Sequence, residues 1–182
     1  MIGFTFRNIH SSTYNIGVKS DDRSLLPELR KNEFFIPGRH GTVDFGLNTY
    51  EKRIITVEIG LMKNADWSAL RATARDVADW LSGKGRLVFD DEPARAYNAS
   101  VYASISINQI QALPAGIINV AFECQPFAED INYNQSLTTL STDPQDISIV
   151  SAGTQEAPCL IYITNKGVTN ITGIKIQRKG EI

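Results

Sequence analysis

A mainly antiparallel β domain carrying one packed helix is what this sequence predicts, and three observations predict it. Apolar residues recur at every second position through most of the first two thirds of the chain, the spacing that lines one face of a strand. A single stretch, Asp66 to Ser82, changes to steps of three and four, which draws an apolar stripe along a helix. At 182 residues and 42% hydrophobic, the chain can bury one complete core and begin a second.

The elements follow in order. Gly3 to Arg7, Tyr14 to Lys19 and Glu33 to Ile36 are short strand candidates. Arg53 to Leu61 alternates more fully: Ile55, Val57, Ile59 and Leu61 share one face, Thr56 and Glu58 take the other, and only Ile54 spoils the polar side. In the helical stretch Trp67, Leu70, Ala74, Val77, Ala78 and Leu81 form the stripe, while Arg71, Arg75, Asp76 and Asp79 fall mostly elsewhere. Asn64 or Asp66 can accept from the free amides at its start, and Gly83 can take the left-handed conformation that closes its end. Such a helix is about 25 Å long, enough to cover one face of a sheet. Trp67 is expected to anchor it and Trp80, one step off the stripe, to lie at the rim. Gly85 to Asp90 is a further strand. Tyr97 to Ile107 is the cleanest alternation, with Ala99, Val101 and Ala103 among its inward residues. Ile118, Val120, Phe122 and Cys124 repeat the pattern.

Composition shifts after Phe127 toward Ser, Thr, Asn, Gln and Asp, as in a connector that feeds a new β unit. A boundary near Asp130 divides the chain into domain 1–130 and a segment 131–182, with strand candidates at Cys159 to Thr164 and Ile171 to Gln177. About 50 residues is near the lower limit for a domain stable without disulfides, metals or partners. The segment is expected either to be part of a larger second domain or to lean on the first domain or a neighbouring chain.

Eighteen Lys and Arg against twenty Asp and Glu leave a net charge of -2, which offers no electrostatic footprint for a phosphate backbone. Direct nucleic-acid binding is not expected. Cys124 and Cys159 lie far apart and fit neither a redox motif nor a zinc spacing, so they read as reduced thiols, with a disulfide between them the unforced alternative. "MIGFTFRNIHSS" reads as a strand and not as a secretory signal, and no apolar stretch approaches the roughly 18–20 residues that span a bilayer. The expectation is a soluble protein made in the cytoplasm.

Catalysis has little to work with. His10 and His40 are the only histidines, and neither has a Ser or Cys beside it in a nucleophile motif. His40 and Asp44 are close enough in sequence to pair, and Arg39 can hold a carboxylate or phosphate, but one Arg-His loop is a thin basis for a site. The acids of "FDDEP", Asp90 to Glu92, are adjacent and diverge, whereas a calcium loop spreads its ligands over about a dozen residues. They read as a solvated turn. The glycines match no phosphate-binding fingerprint. Tyr50, Tyr97 and Tyr102 could stack on a sugar, although scattered aromatics more often pack. No catalytic residue, cofactor or metal is expected.

Four stretches, "GFTFRNIHSSTYNIGVKS", "LLPELRKNEFFIPGRHGTVDFGLNTYEKRIITVEIGL", "LRATARDVADWLSGKGRLVFDDEPARAYNASVY" and "VAFECQPFA", resemble in order and spacing the N-terminal domain of the distal tail protein (Dit) family of long-tailed bacteriophages, also known as siphophage tail components. The match covers about Met1 to Ala128. The resemblance implies a virion protein without catalysis: a β-barrel or sandwich with one packed helix that builds a homo-hexameric hub ring at the tail tip. It also implies a tail tube protein above, a tail-associated fibre or lysin protein below, and often receptor-binding proteins outside. The family's C-terminal domain is a galectin-like β-sandwich, of which this chain holds only the first strands, so a host-facing role for that domain is not carried over.

A ring of identical subunits needs one patch on each protomer to match a different patch on the next, and projecting hairpins and sheet edges serve this well. Phe34 to Phe45 is expected to form such a projecting segment. Phe34, Phe35, Arg39, His40, Asp44 and Phe45 would lie at the intersubunit or tube-facing surface, with Arg39 forking onto a neighbour's carboxylate. Pro37 and Gly38 are expected to make its turn and Gly41 a permissive hinge. The competing readings are a carbohydrate-binding module that adsorbs to the host cell wall and a small hydrolase built on His40, Asp44 and Asp90 to Glu92.

Overall fold

The computed structural model describes residues 3–45, 49–62, 64–110, 112–132, 135–150, 153–155, 157 and 159–177. Strands β1 (Phe4–Phe6), β2 (Ile9–His10), β3 (Ile16–Arg23), β4 (Glu33–Phe35), β5 (Thr42–Asp44) and β6 (Arg53–Leu61) precede the single helix α1 (Trp67–Leu81). After it come β7 (Gly83–Phe89), β8 (Arg95–Val101), β9 (Ile107–Ile110), β10 (Ala115–Cys124) and β11 (Glu129–Asp130). Nine strands form one antiparallel sheet in the order β2-β1-β7-β8-β10-β6-β3, with β11 added on β8 and β9 on β10; β4 and β5 pair only with each other. The mainly antiparallel β architecture with one helix expected from the sequence is thus the observed one.

The spine of the sheet is β6 against β10, paired without interruption from Leu61↔Gly116 to Arg53↔Cys124. Alternation decides its faces: Ile55, Val57, Ile59 and Leu61 are buried, and so are their partners Phe122, Val120 and Ile118. These cross-strand β-branched and aromatic pairs stabilise a sheet by roughly 0.2–1 kcal/mol each. Phe4, Phe6, Phe89 and Phe122 add an aromatic cluster, with Phe4 edge-on to Phe122 at 5.8 Å and Phe6 at 5.3 Å.

Helix α1 covers this core through Leu70, Val77, Trp80 and Leu81. The Asp66 carboxylate accepts from the Ala69 amide at 2.8 Å and caps its start; Gly83, at φ 87°, follows its end. Asp66→Ala is expected to lower stability by about 1 kcal/mol in chemical denaturation, the usual loss of an N-cap. The roles expected of the two tryptophans are exchanged. Trp80 is 4% exposed and Trp67 41%. A helical side chain leans toward the N-terminus, so Trp67, in the first turn, points beyond the helix, whereas Trp80 lies within lateral reach of the stripe.

The alternation from Tyr97 to Ile107 is not one strand. Ser100 pairs with Glu123 and Ile107 with Ile118, so residues 101–106 face 119–122, two more than a straight ladder holds. The surplus ends β8 at Val101, leaves Tyr102 exposed and restarts the chain as β9. Tyr14, expected to open a strand, instead closes a 3-10 turn, Ser11–Tyr14, before β3.

The chain divides into two units, Met1–Asn134 and Gln135–Ile182. In the second, no described residue belongs to a strand or helix, so the strands expected at Cys159 to Thr164 and Ile171 to Gln177 are not formed. Leu160, Ile161, Tyr162, Ile163, Ile174 and Ile176 are exposed; the apolar residues are present, and no described residue of this unit supplies a strand to cover them.

Candidate functional site

β3 and β6 are paired neighbours whose last rung is Arg23↔Ile55, yet the chain between them runs through residues 24–52. Its described residues pair as a two-stranded arm. Glu51 N donates to Glu28 O at 2.7 Å, Arg30 N to Thr49 O at 2.8 Å and Phe45 N to Asn32 O at 2.9 Å, with a bridge at Leu29↔Tyr50. Beyond these, Glu33↔Asp44, Phe34↔Val43 and Phe35↔Thr42 pair as β4 and β5. At the tip Arg39 N donates to Ile36 O at 3.1 Å, and Gly38 has φ 82°. Proline second and a left-handed glycine third is the type II turn signature. Gly41, at φ 78°, is the hinge beyond it.

The register sorts the arm into two faces. Phe34, Val43 and Phe45 share one, and the Phe34 and Phe45 rings meet at 5.6 Å with planes at 73°. Phe35 lies on the other with Glu33, Thr42 and Asp44. Phe34 is 55%, Phe45 59% and Phe35 72% exposed. A hairpin alone is marginally stable in water, and large aromatic side chains clustered in solvent mark an interaction site.

Polar contacts stiffen the arm. At the root the Arg30 guanidinium pairs with Glu51 at 2.8 Å, which raises the Arg30 pKa and holds the Glu51 carboxyl below its usual range. Tyr50 packs edge-on against Phe127 at 5.0 Å. Thr42 Oγ1 donates to Glu33 Oε2 at 3.3 Å, and Asp44 Oδ1 accepts from Asn32 N at 3.2 Å. Asp44 therefore serves the arm's own backbone. Arg39 and His40 are exposed at the tip, and among the described residues neither side chain makes a hydrogen bond or ion pair. Of the six residues expected at a contact surface, Phe34 and Phe45 are brought together, Arg39 and His40 occupy the tip, and Phe35 and Asp44 lie on the opposite face.

The acids of the β7–β8 turn hold structure. Asp90 accepts from Gly3 N at 2.7 Å and from His10 Nε2 at 3.1 Å, while His10 Nδ1 accepts from Ser12 N at 3.2 Å as the cap of the 3-10 turn. Asp91 receives both ends of the Arg23 guanidinium, which also lies 4.4 Å from the Phe89 ring centre. This fork ties the last residue of β3 to the β7–β8 turn. Hydrogen bonding from Arg23 is the main cause that lowers the Asp91 pKa below its ordinary 3.8. A depressed carboxyl stabilises the fold above that value and ceases to as pH falls through the folded pKa. Asp91→Asn is accordingly expected to flatten the acid limb of the stability profile below about pH 4, read as urea midpoints from pH 2.5 to 6.

Of the three tyrosines considered for sugar stacking, Tyr97 is buried, Tyr50 packs on Phe127, and only Tyr102 is exposed. Cys124 is buried and its thiol is pushed up to about 12 by desolvation, as for a core residue; Cys159 is exposed. At the far end of β6 a polar hollow of about 270 Å³ lies against Tyr14, Met62, Thr73 and Asp76. No local pattern marks the hollow, whose walls come from three distant segments. The strand β5 had a signal: apolar residues on both sides of a Pro-Gly turn, the pattern of a hairpin.

The protein is thus a braced antiparallel β body that carries an aromatic arm. The chain belongs to the phage tail protein RIFT-related domain family, matched over residues 9–124. Its fold is also that of SPP1 Dit (gp 19.1), whose crystal structure is described as a paradigm of hub adsorption apparatus in Gram-positive infecting phages. The similarity has a TM-score of 0.61 at 16% identity and covers 71% of this chain and 52% of that one. The chain thus spans about half the length of SPP1 Dit. No curated protein sequence matches it. The resemblance read from the four sequence stretches is borne out, and the protein is a structural component of a phage tail, hence of the virion. Among the described residues no helix is long and apolar enough to cross a membrane.

Proposed function

We propose that this chain is the hub subunit of a long-tailed phage or prophage tail tip. Six copies close into a ring that joins the tail tube protein above to the tail-associated fibre or lysin protein below, with receptor-binding proteins attached outside. The observation that carries this reading is the arm, with its face of exposed Phe34 and Phe45 beside half-buried Val43 and Arg39 at its tip, without a partner among the described residues. Membership of a phage tail family supports it; the ring order and the neighbours follow from the resemblance to Dit proteins. Domain 1–130 builds the ring, and 131–182 begins a second β domain that acquires its sheet in the larger assembly. The subunit works without catalysis or cofactor, and it is made in the host cytoplasm before entering the virion.

The test is light scattering after size exclusion together with negative-stain electron microscopy. Closed six-fold rings are expected. A chain that stays monomeric at high concentration and fails to bind purified tail tubes would overturn the reading.

A further inference from the structure

We propose that the arm of one copy docks at the far end of β6 in the next copy, with Arg39 entering the hollow there and pairing with that neighbour's Asp76. The partner is a second copy of this chain and the contact is head to tail; the proposal rests on the hub reading above and names the two faces of its ring contact.

The arm feeds into β6 at Arg53, and the chain leaves that strand at Leu61. The eight rises between these residues place the two points about 27 Å apart. At the Leu61 end two segments converge, the exit of β6 and the turn between β9 and β10. Asn64 N donates to Pro114 O at 2.9 Å, Leu61 pairs with Gly116, and Leu113 N donates to Ile110 O at 3.1 Å. They carry Met62, Ile110 and Leu113, all exposed, and Trp67 opens the helix three residues beyond Asn64. The protomer therefore presents apolar side chains at both ends of one strand.

Charge decides how they match. The hollow beside Met62 is walled by Tyr14, Asn15, Asn64, Thr73 and Asp76. Thr73 Oγ1 lies 3.1 Å from Asn64 Oδ1 and 3.0 Å from Ala69 O and shares its one hydrogen between these acceptors, which ties the helix to Asn64. Asp76 is exposed, and among the described residues its carboxylate makes no hydrogen bond or ion pair. It is a carboxylate that lines an open polar hollow with apolar neighbours. Arg39 is the reciprocal object, a cation without a partner among the described residues, at the tip of a strand pair with an aromatic face. A guanidinium forks onto one carboxylate, which sets direction as well as affinity. Arm-to-arm pairing would close as a two-fold dimer and leave Asp76 unanswered, whereas arm-to-hollow contact matches two different patches, as a ring requires.

Charge exchange in the full chain tests this, with assembly followed by sedimentation velocity over a concentration series. Arg39→Asp and Asp76→Arg are each expected to raise the concentration needed for ring formation roughly tenfold or more, at unchanged thermal midpoint. The double variant Arg39→Asp, Asp76→Arg is expected to return assembly most of the way to wild type. If wild type and Asp76→Arg form rings equally well, the hub reading stands and this contact is wrong. A double variant as weak as the single ones also overturns the pairing. Failure of wild type itself to assemble would remove the hub reading, and with it this proposal.

Discussion

Trp80→Ala is expected to lower the unfolding free energy by about 3–5 kcal/mol, the loss typical of a large aromatic deleted from a packed core. The ring is 4% exposed and stacks on Phe4 at 5.4 Å and on Tyr14 at 5.0 Å, so truncation opens a cavity between the helix, β1 and the 3-10 turn. Its Nε1 donates to Phe6 O at 3.0 Å in a buried setting, and the deletion leaves that carbonyl without this donor. Trp80→Phe keeps most of the volume and loses the bond, so a smaller drop of about 1–2 kcal/mol is expected. Trp67→Ala, at a 41% exposed position, is expected to change stability by less than about 1 kcal/mol. Urea denaturation of the three variants decides the matter. Equal losses at Trp67 and Trp80 would contradict the arrangement of the core.

The arm should behave in the opposite way. Phe34→Ser with Phe45→Ser removes two rings that pack on each other, more than half exposed, so the monomer is expected to keep its stability within about 1 kcal/mol. Assembly is expected to suffer severely, because aromatic anchors at the centre of a contact commonly carry 2 kcal/mol or more each. The association midpoint should move roughly a hundredfold or more. Sedimentation velocity reads this directly, and thermal denaturation of the same samples supplies the control. Normal assembly of the double variant would reduce the arm to an ornament of the surface.

How much of this was legible in the residues depended on whether a local pattern decided the structure. The strand Arg53–Leu61 was read to its ends, because one face is buried along its whole length and alternation is then obligatory. Helix α1 was legible for the same reason at a different period, with its Asp66 cap and the glycine after it. The tryptophans were not, since a stripe on a helical projection ignores how far a side chain leans along the axis. The break between β8 and β9 was invisible because alternation continues through Tyr102–Ser106 and carries no count of the facing strand. Of the arm, the Pro37-Gly38 turn and the exposed tip were legible from turn chemistry, while the three residues of β5 are too few to show a period. The hollow was beyond reach: Tyr14, Met62 and Asp76 become neighbours only through the sheet order. In the second unit the apolar stretches are present and the described residues form no strand, because apolar residues state what a layer would bury and supply no layer.

The last rung of β3 on β6, Arg23↔Ile55, means that the arm departs and returns within one step of the ladder. Its length is therefore almost independent of the body that bears it, since the closure entropy of an inserted segment grows only with the logarithm of its size. Lineages can extend, trim or exchange this appendage by insertion and deletion while the buried layer stays intact. Grafting a foreign arm between positions 23 and 53 should redirect which neighbour is engaged without a compensating change elsewhere.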